Sequence, residues 1–454
     1  YNNLGNILKD LGSLNEAISA YQKAINLKSD NAEALTNMGA ALQEQGNLSA
    51  AKESYRQALL IDHSYAQAYE NLGTAYKETG QRSKALEFCK TALSLRPNHC
   101  DTHNNIGTIY FEQGQYEKAI DSYNRAISLS PNDAGAHLNL SFALLNSGRL
   151  KEGLDEYEWR LKNPKRSAKE ARHFKLPAWD GSVSLKDKTI LVWGEHGPGD
   201  VIQWSYCLQY LTPLAKHCIL ECQAKLVPLL QRSFPDIEVR AEDHTDDLNR
   251  TDFDFHVPIG SLIRHFLSKR LNSQVMKAFL RPDPERVRFW ESRLLEIGRG
   301  PFIGISWKSP LLNPQRLPNY TETEDWAPVL SLPGVTFINL QASDFADDLV
   351  KFNEQFGVNI HNFDDLDHYN ALDEVAALSS ALDLAISVST TVSTITAGVG
   401  TPTKMLHWRQ SSWNNITNTP PGPSVTVFEK NTWETWERCF GDIAGEIIKY
   451  LALK

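Results

Sequence analysis

Small, apolar and polar residues recur along the first third of the chain with a period of 34 residues. The triplet Asn-[Leu/Met/Ile]-Gly returns as Asn3-Leu4-Gly5, Asn37-Met38-Gly39, Asn71-Leu72-Gly73 and Asn105-Ile106-Gly107, and a fifth copy, Asn139-Leu140-Ser141, lacks only the glycine. Twelve positions after each glycine slot stands another small residue, at Ala17, Ala51, Ala85, Ala119 and Gly153. Four positions later comes an aromatic, at Tyr21, Tyr55, Tyr123 and Tyr157, with Cys89 filling that slot once. Gly12, Gly46, Gly80, Gly114 and Gly148 fall between the two halves of each unit, and Pro97 and Pro131 mark breaks into the next. Small residues where helices approach, aromatics beside them and glycine at the turn predict helix-turn-helix units stacked into a solenoid.

The pattern changes beyond residue 162. All eleven tryptophans lie at Trp159 or later, and so does every proline except Pro97 and Pro131. From residue 188 onward, short β-rich runs alternate with helical periodicity. The predicted strands are Thr189–Gly194, Cys218–Glu221, Phe253–Val257, Phe302–Trp307, Val335–Leu340, Leu384–Val388 and Thr403–His407. The predicted helices are Val201–Leu211, Ala224–Arg232, Arg286–Ile297, Glu324–Leu330, Asp344–Phe356, Leu372–Ala381, Val392–Val399 and a terminal one near Thr432–Leu451. Continuous apolar strands separated by helices predict parallel sheet covered on both faces. The expected organisation is therefore a superhelix over 1–162, a connector over 163–187, Rossmann-like halves over 188–284 and 285–430, and a C-terminal helix over 431–454. Arg281-Pro282-Asp283-Pro284 is the expected hinge, and the terminal helix is expected to pack across both halves.

Composition narrows the function. A chain of 454 residues is long enough for about three domains, and its net charge of −9 has the wrong sign for a protein that neutralises nucleic-acid phosphates. No apolar run is long enough to span a membrane. The six cysteines contain no Cys-x-x-Cys pair, which argues against a disulfide framework or a zinc site and predicts a reducing, cytoplasmic setting. Because Tyr1 falls inside the first repeat, further repeats are expected before it.

Three segments carry candidate chemistry. Trp193-Gly194-Glu195-His196-Gly197-Pro198-Gly199-Asp200 joins a strand to a helix, where Gly197 and Gly199 let a substrate approach the backbone. Asp200 at that lip is either a helix cap or a catalytic base. The second segment holds Ser389, Thr390, Thr391 and Thr394, whose hydroxyls and helix N-terminal amides can seat a phosphate or cap a buried helix. In the third, Lys308 ends a strand and Arg316 follows, so cations there could counter the charge of a leaving phosphate. The Glu221-Cys222 pair and the acidic run Glu242 to Asp247 are expected to be a strand end and a solvated loop rather than a metal site. Asn3, Asn37, Asn71, Asn105 and Asn139 occupy one slot on successive helices, where their amides either grip an extended peptide or bond neighbouring helices.

Residues 1–162 resemble the tetratricopeptide repeat (TPR). The remainder resembles the glycosyltransferase domain of bacterial TPR-glycosyltransferase proteins, related to the heptosyltransferase family with its GT-B architecture. The likeness rests on Leu191 through Gln203, on Gly304-Ile305-Ser306-Trp307-Lys308, and on Leu382 through Val388 with Gly400-Thr401-Pro402. Tyr157-Glu158-Trp159-Arg160 and Trp179-Asp180-Gly181 in the connector extend it. The resemblance implies a TPR α-solenoid followed by a GT-B-like pair of Rossmann-like domains. It implies inverting transfer from a nucleotide sugar, with no cofactor or metal, to a protein Ser/Thr acceptor held along the TPR concave face, as in O-linked N-acetylglucosamine and flagellin-modifying transferases. Asp200 then corresponds to the base, His196 to a reserve base, and Lys308 and Arg316 to phosphate contacts. Relatives usually carry Asp-Thr and then a histidine in the third motif, where this chain has Ser389-Thr390 and Thr394. That departure leaves a second reading, a TPR interaction scaffold whose transferase-like domain is inactive.

Overall fold

The computed structural model describes residues 1–163, 172–272, 278–309, 320–342, 345–408, 425–430 and 434–452. The chain divides into two compact units, Tyr1–Asn163 and Pro164–Lys454.

The first unit is a helical solenoid of five helix pairs: Asn2–Asp10 with Leu14–Leu27, Ala32–Glu44 with Leu48–Ile61, Ala66–Glu78 with Arg82–Leu95, Cys100–Glu112 with Tyr116–Leu129, and Ala134–Asn146 with Leu150–Tyr157. The 34-residue period has a direct steric cause. A Cβ on Gly5, Gly39 or Gly107 would lie 2.4–2.6 Å from the ring of Tyr21, Tyr55 or Tyr123, and one on Gly73 would lie 2.5 Å from the Cys89 sulfur. Each ring therefore occupies the space that the glycine vacates on the partner helix. The rings are fully buried, and their hydroxyls find acceptors: Tyr21 donates to Asn6 Oδ1 at 2.8 Å and Tyr55 to Gln43 Oε1 at 2.9 Å. A buried tyrosine with a satisfied hydroxyl adds its full apolar area without an orphaned donor. The turn glycines, Gly12 through Gly148, all take φ between +72° and +86°, the left-handed region that glycine enters without penalty.

The second unit holds two parallel sheets. β1 (Thr189–Trp193), β2 (His217–Cys222), β3 (Glu238–Ala241) and β4 (Phe255–Pro258) lie in the order β3-β2-β1-β4. β5 (Phe302–Ser306), β6 (Thr336–Asn339), β7 (Leu384–Val388), β8 (Thr403–Trp408) and β9 (Val425–Lys430) lie in the order β6-β5-β7-β8-β9. Both are doubly wound orders, and each reverses direction once, between β1 and β4 and between β5 and β7. β3 and β9 were not expected. β3 is short and partly exposed and β9 is half-buried, so neither presents a continuous apolar run.

Several helices also differ from expectation. The single helix over Val201–Leu211 is two, Pro198–Ser205 and Leu208–Leu211, and Leu262–Asn272 was missed. The terminal helix, Glu437–Ala452, does not bridge the halves through its core side chains. Phe440, Ile443 and Ile447 join Trp326, Val329 and Leu330 in the core of the second sheet. The expected hinge is pinned: Arg281 N–H donates to Ser233 Oγ at 2.9 Å, and Asp283 caps the helix Pro284–Ile297 by accepting from Glu285 N–H. Among the described residues, no helix is long and apolar enough to cross a membrane.

Gly39→Ala forces a methyl group against the Tyr55 ring and is expected to cost about 1–3 kcal/mol. A lowered urea midpoint with unchanged helical content before the transition is the expected readout.

Candidate functional site

Ligands of doubly wound sheets lie outside the carboxyl ends of the strands where the order reverses. Both such points in this unit are built from the segments singled out in the sequence. At the first, β1 ends in Trp193 and the chain turns tightly through Gly194, whose N–H donates to the Glu221 carbonyl at 2.7 Å. Glu195 is buried and accepts from Gly260 N–H at 3.0 Å, which fastens the loop after β1 to the end of β4 across the reversal. His196 takes φ +65°, an uncommon conformation for a residue with a side chain, and its Nε2 lies 3.5 Å from Glu195 Oε2.

Asp200 sits in the first turn of the helix Pro198–Ser205, where its Oδ2 accepts from Gly197 N–H at 3.3 Å. Gly197 is the N-cap, and Asp200, three positions later, closes back on its N–H. That bond holds the carboxylate at the positive end of the helix.

At the second reversal, β5 delivers Ser306, Trp307 and Lys308. One fully buried amide, Gln341, organises this turn. Its Oε1 accepts from Ser306 Oγ at 3.1 Å, Trp307 N–H at 3.0 Å and Lys308 N–H at 3.1 Å, and its Nε2 donates to the Lys308 carbonyl at 2.7 Å. Asp348 Oδ2 accepts from the Trp307 indole at 2.8 Å and from the Lys308 ammonium at 2.5 Å. β7 leads into Ser389, which is exposed, and then Thr390, which caps the helix Thr391–Val399. Thr390 N–H donates to Ser393 Oγ at 3.1 Å, while the Thr394 hydroxyl is spent on the Thr390 carbonyl at 3.2 Å. Thr394 therefore serves its own helix and offers no free hydroxyl to a phosphate. Arg316 lies outside the described residues.

The two points meet. A Cβ built on Gly199 would lie 3.1 Å from Thr391 Oγ1 and 3.3 Å from Thr391 Cα, so the first turns of Pro198–Ser205 and Thr391–Val399 touch at backbone distance. A side chain on Gly199 would have to push Thr391 back by a few tenths of an ångström. Two helix N-termini in contact concentrate positive partial charge at one place, which favours an anion there. Elsewhere in the unit, Arg232 pairs with Asp373 through two bonds of 2.8 and 2.9 Å, and Lys225 donates to the Tyr369 carbonyl at 3.1 Å, so both halves are also joined along a second seam.

Behind the first point lies a charge network that joins Glu221, at the expected strand end, to Asp247 of the acidic run expected to be a solvated loop. Glu221, almost wholly buried, is ringed by Arg172, Arg240 and Arg250, and Arg172 also pairs with Asp247. Asp247 is thus part of a buried support rather than a solvated loop residue. Next to it, the Trp193 indole donates to His256 Nδ1 at 3.3 Å, and burial pushes the His256 pKa down to about 4. Gln341, Asp348, Glu195 and Arg172 were all missed in the sequence, because each acts through a partner more than thirty residues away.

In the solenoid, Asn37 donates to Asn2 Oδ1 and Asn139 to Asn104 Oδ1, both at 3.0 Å, while Asn71 accepts from Gln67 at 3.1 Å. Asn37 and Asn139 thus tie successive first helices together. Asn71 also lines a groove of about 320 Å³ with Gln43, Tyr55, Thr74 and Glu78. Asn3 is exposed and Asn105 half-buried on the same series of helices.

Residues 5–46, 42–80 and 107–148 match a family described as TPR repeat, and residues 66–99 and 88–121 match tetratricopeptide-repeat families. The first unit is therefore a TPR solenoid. The chain is 31% identical to Protein FlbA of Caulobacter vibrioides over 303 residues, 62% of this chain and 50% of that protein. It thus spans about half the length of the curated relative it matches, and the similarity, being longer than the TPR unit, reaches into the α/β unit. Among solved structures it is similar to MamA, at 26% identity and TM-score 0.33, covering 37% of this chain and 99% of that one. It is also similar to a thermophilic TPR protein of Thermus thermophilus, at 23% identity and TM-score 0.34, covering 37% and 92%.

Gln341→Leu keeps the volume but orphans the N–H groups of Trp307 and Lys308. We expect a loss of at least about 2 kcal/mol in unfolding free energy, since each buried unsatisfied group costs about 1–3 kcal/mol. Denaturant unfolding of the two chains side by side checks this.

Proposed function

We propose that the protein is a glycosyltransferase that moves a sugar from a nucleotide-activated donor to a protein acceptor engaged by its TPR unit. The observation that carries this reading is the contact of the Gly199 and Thr391 turns at the reversal points of the two sheets. The donor's diphosphate would lie against the first-turn amides of Thr391–Val399, near Thr390 and Thr391. Lys308 would exchange Asp348 for that diphosphate and counter the charge that grows on it as it leaves. Asp200 would take the proton of the acceptor hydroxyl while that oxygen attacks the anomeric carbon, and the bond to the departing phosphate oxygen breaks on the opposite face. Inversion follows from that geometry. An acceptor held along the solenoid would gain from being tethered in the same chain as the reacting groups.

The occupancy of both key groups favours one rival. Asp200 caps its own helix and Lys308 is paired with Asp348, an arrangement that also suits an interaction protein without turnover. Calorimetric titration of the full chain with nucleoside diphosphates and nucleotide sugars separates the two. The transferase reading expects saturable binding that Lys308→Ala weakens at least about tenfold, within the range expected for a lost charged hydrogen bond. Silence across the panel leaves the scaffold.

Asp200→Asn keeps a side-chain oxygen for the cap and is expected to preserve folding and donor binding. Turnover in a sugar-transfer assay should drop by at least about a hundredfold, the scale of a lost general base. Wild-type turnover in this variant would remove Asp200 from the mechanism.

A further inference from the structure

Where the third repeat meets the fourth, three side chains of metal-binding type converge. Glu70 lies on the helix Ala66–Glu78, His99 caps the next helix, Cys100–Glu112, and Asp101 stands in its first turn. One ligand atom from each lies within 4.8 Å of the others. Glu70 Oε2 is 3.3 Å from His99 Nδ1, and the Glu70 side chain is only 9% exposed. It also meets Gln67 Nε2 at a long 3.5 Å and the Thr102 hydroxyl. A buried carboxylate calls for compensating positive charge or hydrogen bonds, and the cationic groups facing Glu70 are His99 and Arg96.

The repeat does not require this trio. In the flanking copies Thr36 and Asn104 stand where Glu70 does, Tyr65 and Asp133 where His99 does, and Gln67 and Gly135 where Asp101 does. The solenoid thus packs without the cluster at its other junctions, and a role beyond packing is open to it.

We propose that Glu70, His99 and Asp101 bind a divalent transition-metal ion, for which Zn²⁺ is the fitting probe, and that the ion clips the third repeat to the fourth. One imidazole and two carboxylates are a donor set that zinc accepts, with metal–ligand distances near 2.0–2.1 Å. Tetrahedral edges are then about 3.3 Å, which matches the Glu70 to His99 separation already present. The imidazole selects against magnesium and calcium, which prefer oxygen alone. Asp101 is exposed, which leaves the fourth position to water. His99 Nδ1 now bonds Thr102 Oγ1 at 2.9 Å and would exchange that contact for the ion. The positive end of the Cys100–Glu112 helix opposes a cation modestly, and the Asp101 carboxylate offsets it.

The test is calorimetric titration of the metal-stripped full chain with Zn²⁺, together with thermal melting. One ion per chain should bind with micromolar or tighter affinity, and the melting temperature should rise with Zn²⁺. His99→Gln and Asp101→Asn should each weaken binding at least about tenfold, while the metal-free circular dichroism stays that of the parent. Cys100→Ser, which removes the neighbouring thiol, should bind as tightly as the parent. The proposal is overturned by no saturable binding up to millimolar Zn²⁺, by parental affinity in His99→Gln and Asp101→Asn, or by loss of binding in Cys100→Ser.

Discussion

Helix N-termini carry unpaired amides and partial positive charge, so bringing two of them together costs free energy unless an anion or a carboxylate answers them. In the α/β unit that encounter occurs at Gly199 and Thr391, and its surroundings serve it. Gly199 removes the side chain that would hold the turns apart. Asp200 supplies a local negative charge from within the first turn. Glu195 fastens the β1 loop to the end of β4, and Gln341 fixes the turn after β5, so both reversal points are rigid before any ligand arrives.

The TPR unit obeys a different constraint. Its stability is a sum over near-identical neighbours, Gly5, Gly39 and Gly107 each accepting a tyrosine of the partner helix and Gly73 accepting Cys89, so no single long-range contact decides the fold. Departures from the repeat are therefore informative. The amide chain of Asn37 to Asn2 and Asn139 to Asn104 binds first helices together, whereas Glu70 and His99 place a carboxylate and an imidazole at a junction where the other copies have neither group in those two slots except Asp133.

Legibility followed the range of the interactions. Gly-aromatic pairs within one helix-turn-helix unit are close in sequence, and the whole solenoid was readable from its period. Strands buried on both faces were readable as apolar runs, whereas β3 and β9, partly exposed, were not. The glycine-rich turn and the Ser/Thr segment were recognisable because the constraint on each is local. Thr394 was open to two readings, because a hydroxyl in a first turn can serve either its own backbone or a ligand, and only the structure shows it donating to the Thr390 carbonyl. Asp247 was misjudged because the acidic run looked solvated until Arg172 was placed beside it.

By itself the sequence determined the repeat, the alternation of strands and helices, and the residue types at each strand-to-helix turn, since these depend on neighbours a few positions apart and on period. The tertiary structure alone decided which strand ends lie side by side, that Gly199 touches Thr391, that Lys308 is met by Asp348, and that Glu221 is buried among three arginines. The physical reason is that electrostatics and close packing act through space, and the distances they depend on exist only after the two sheets are assembled.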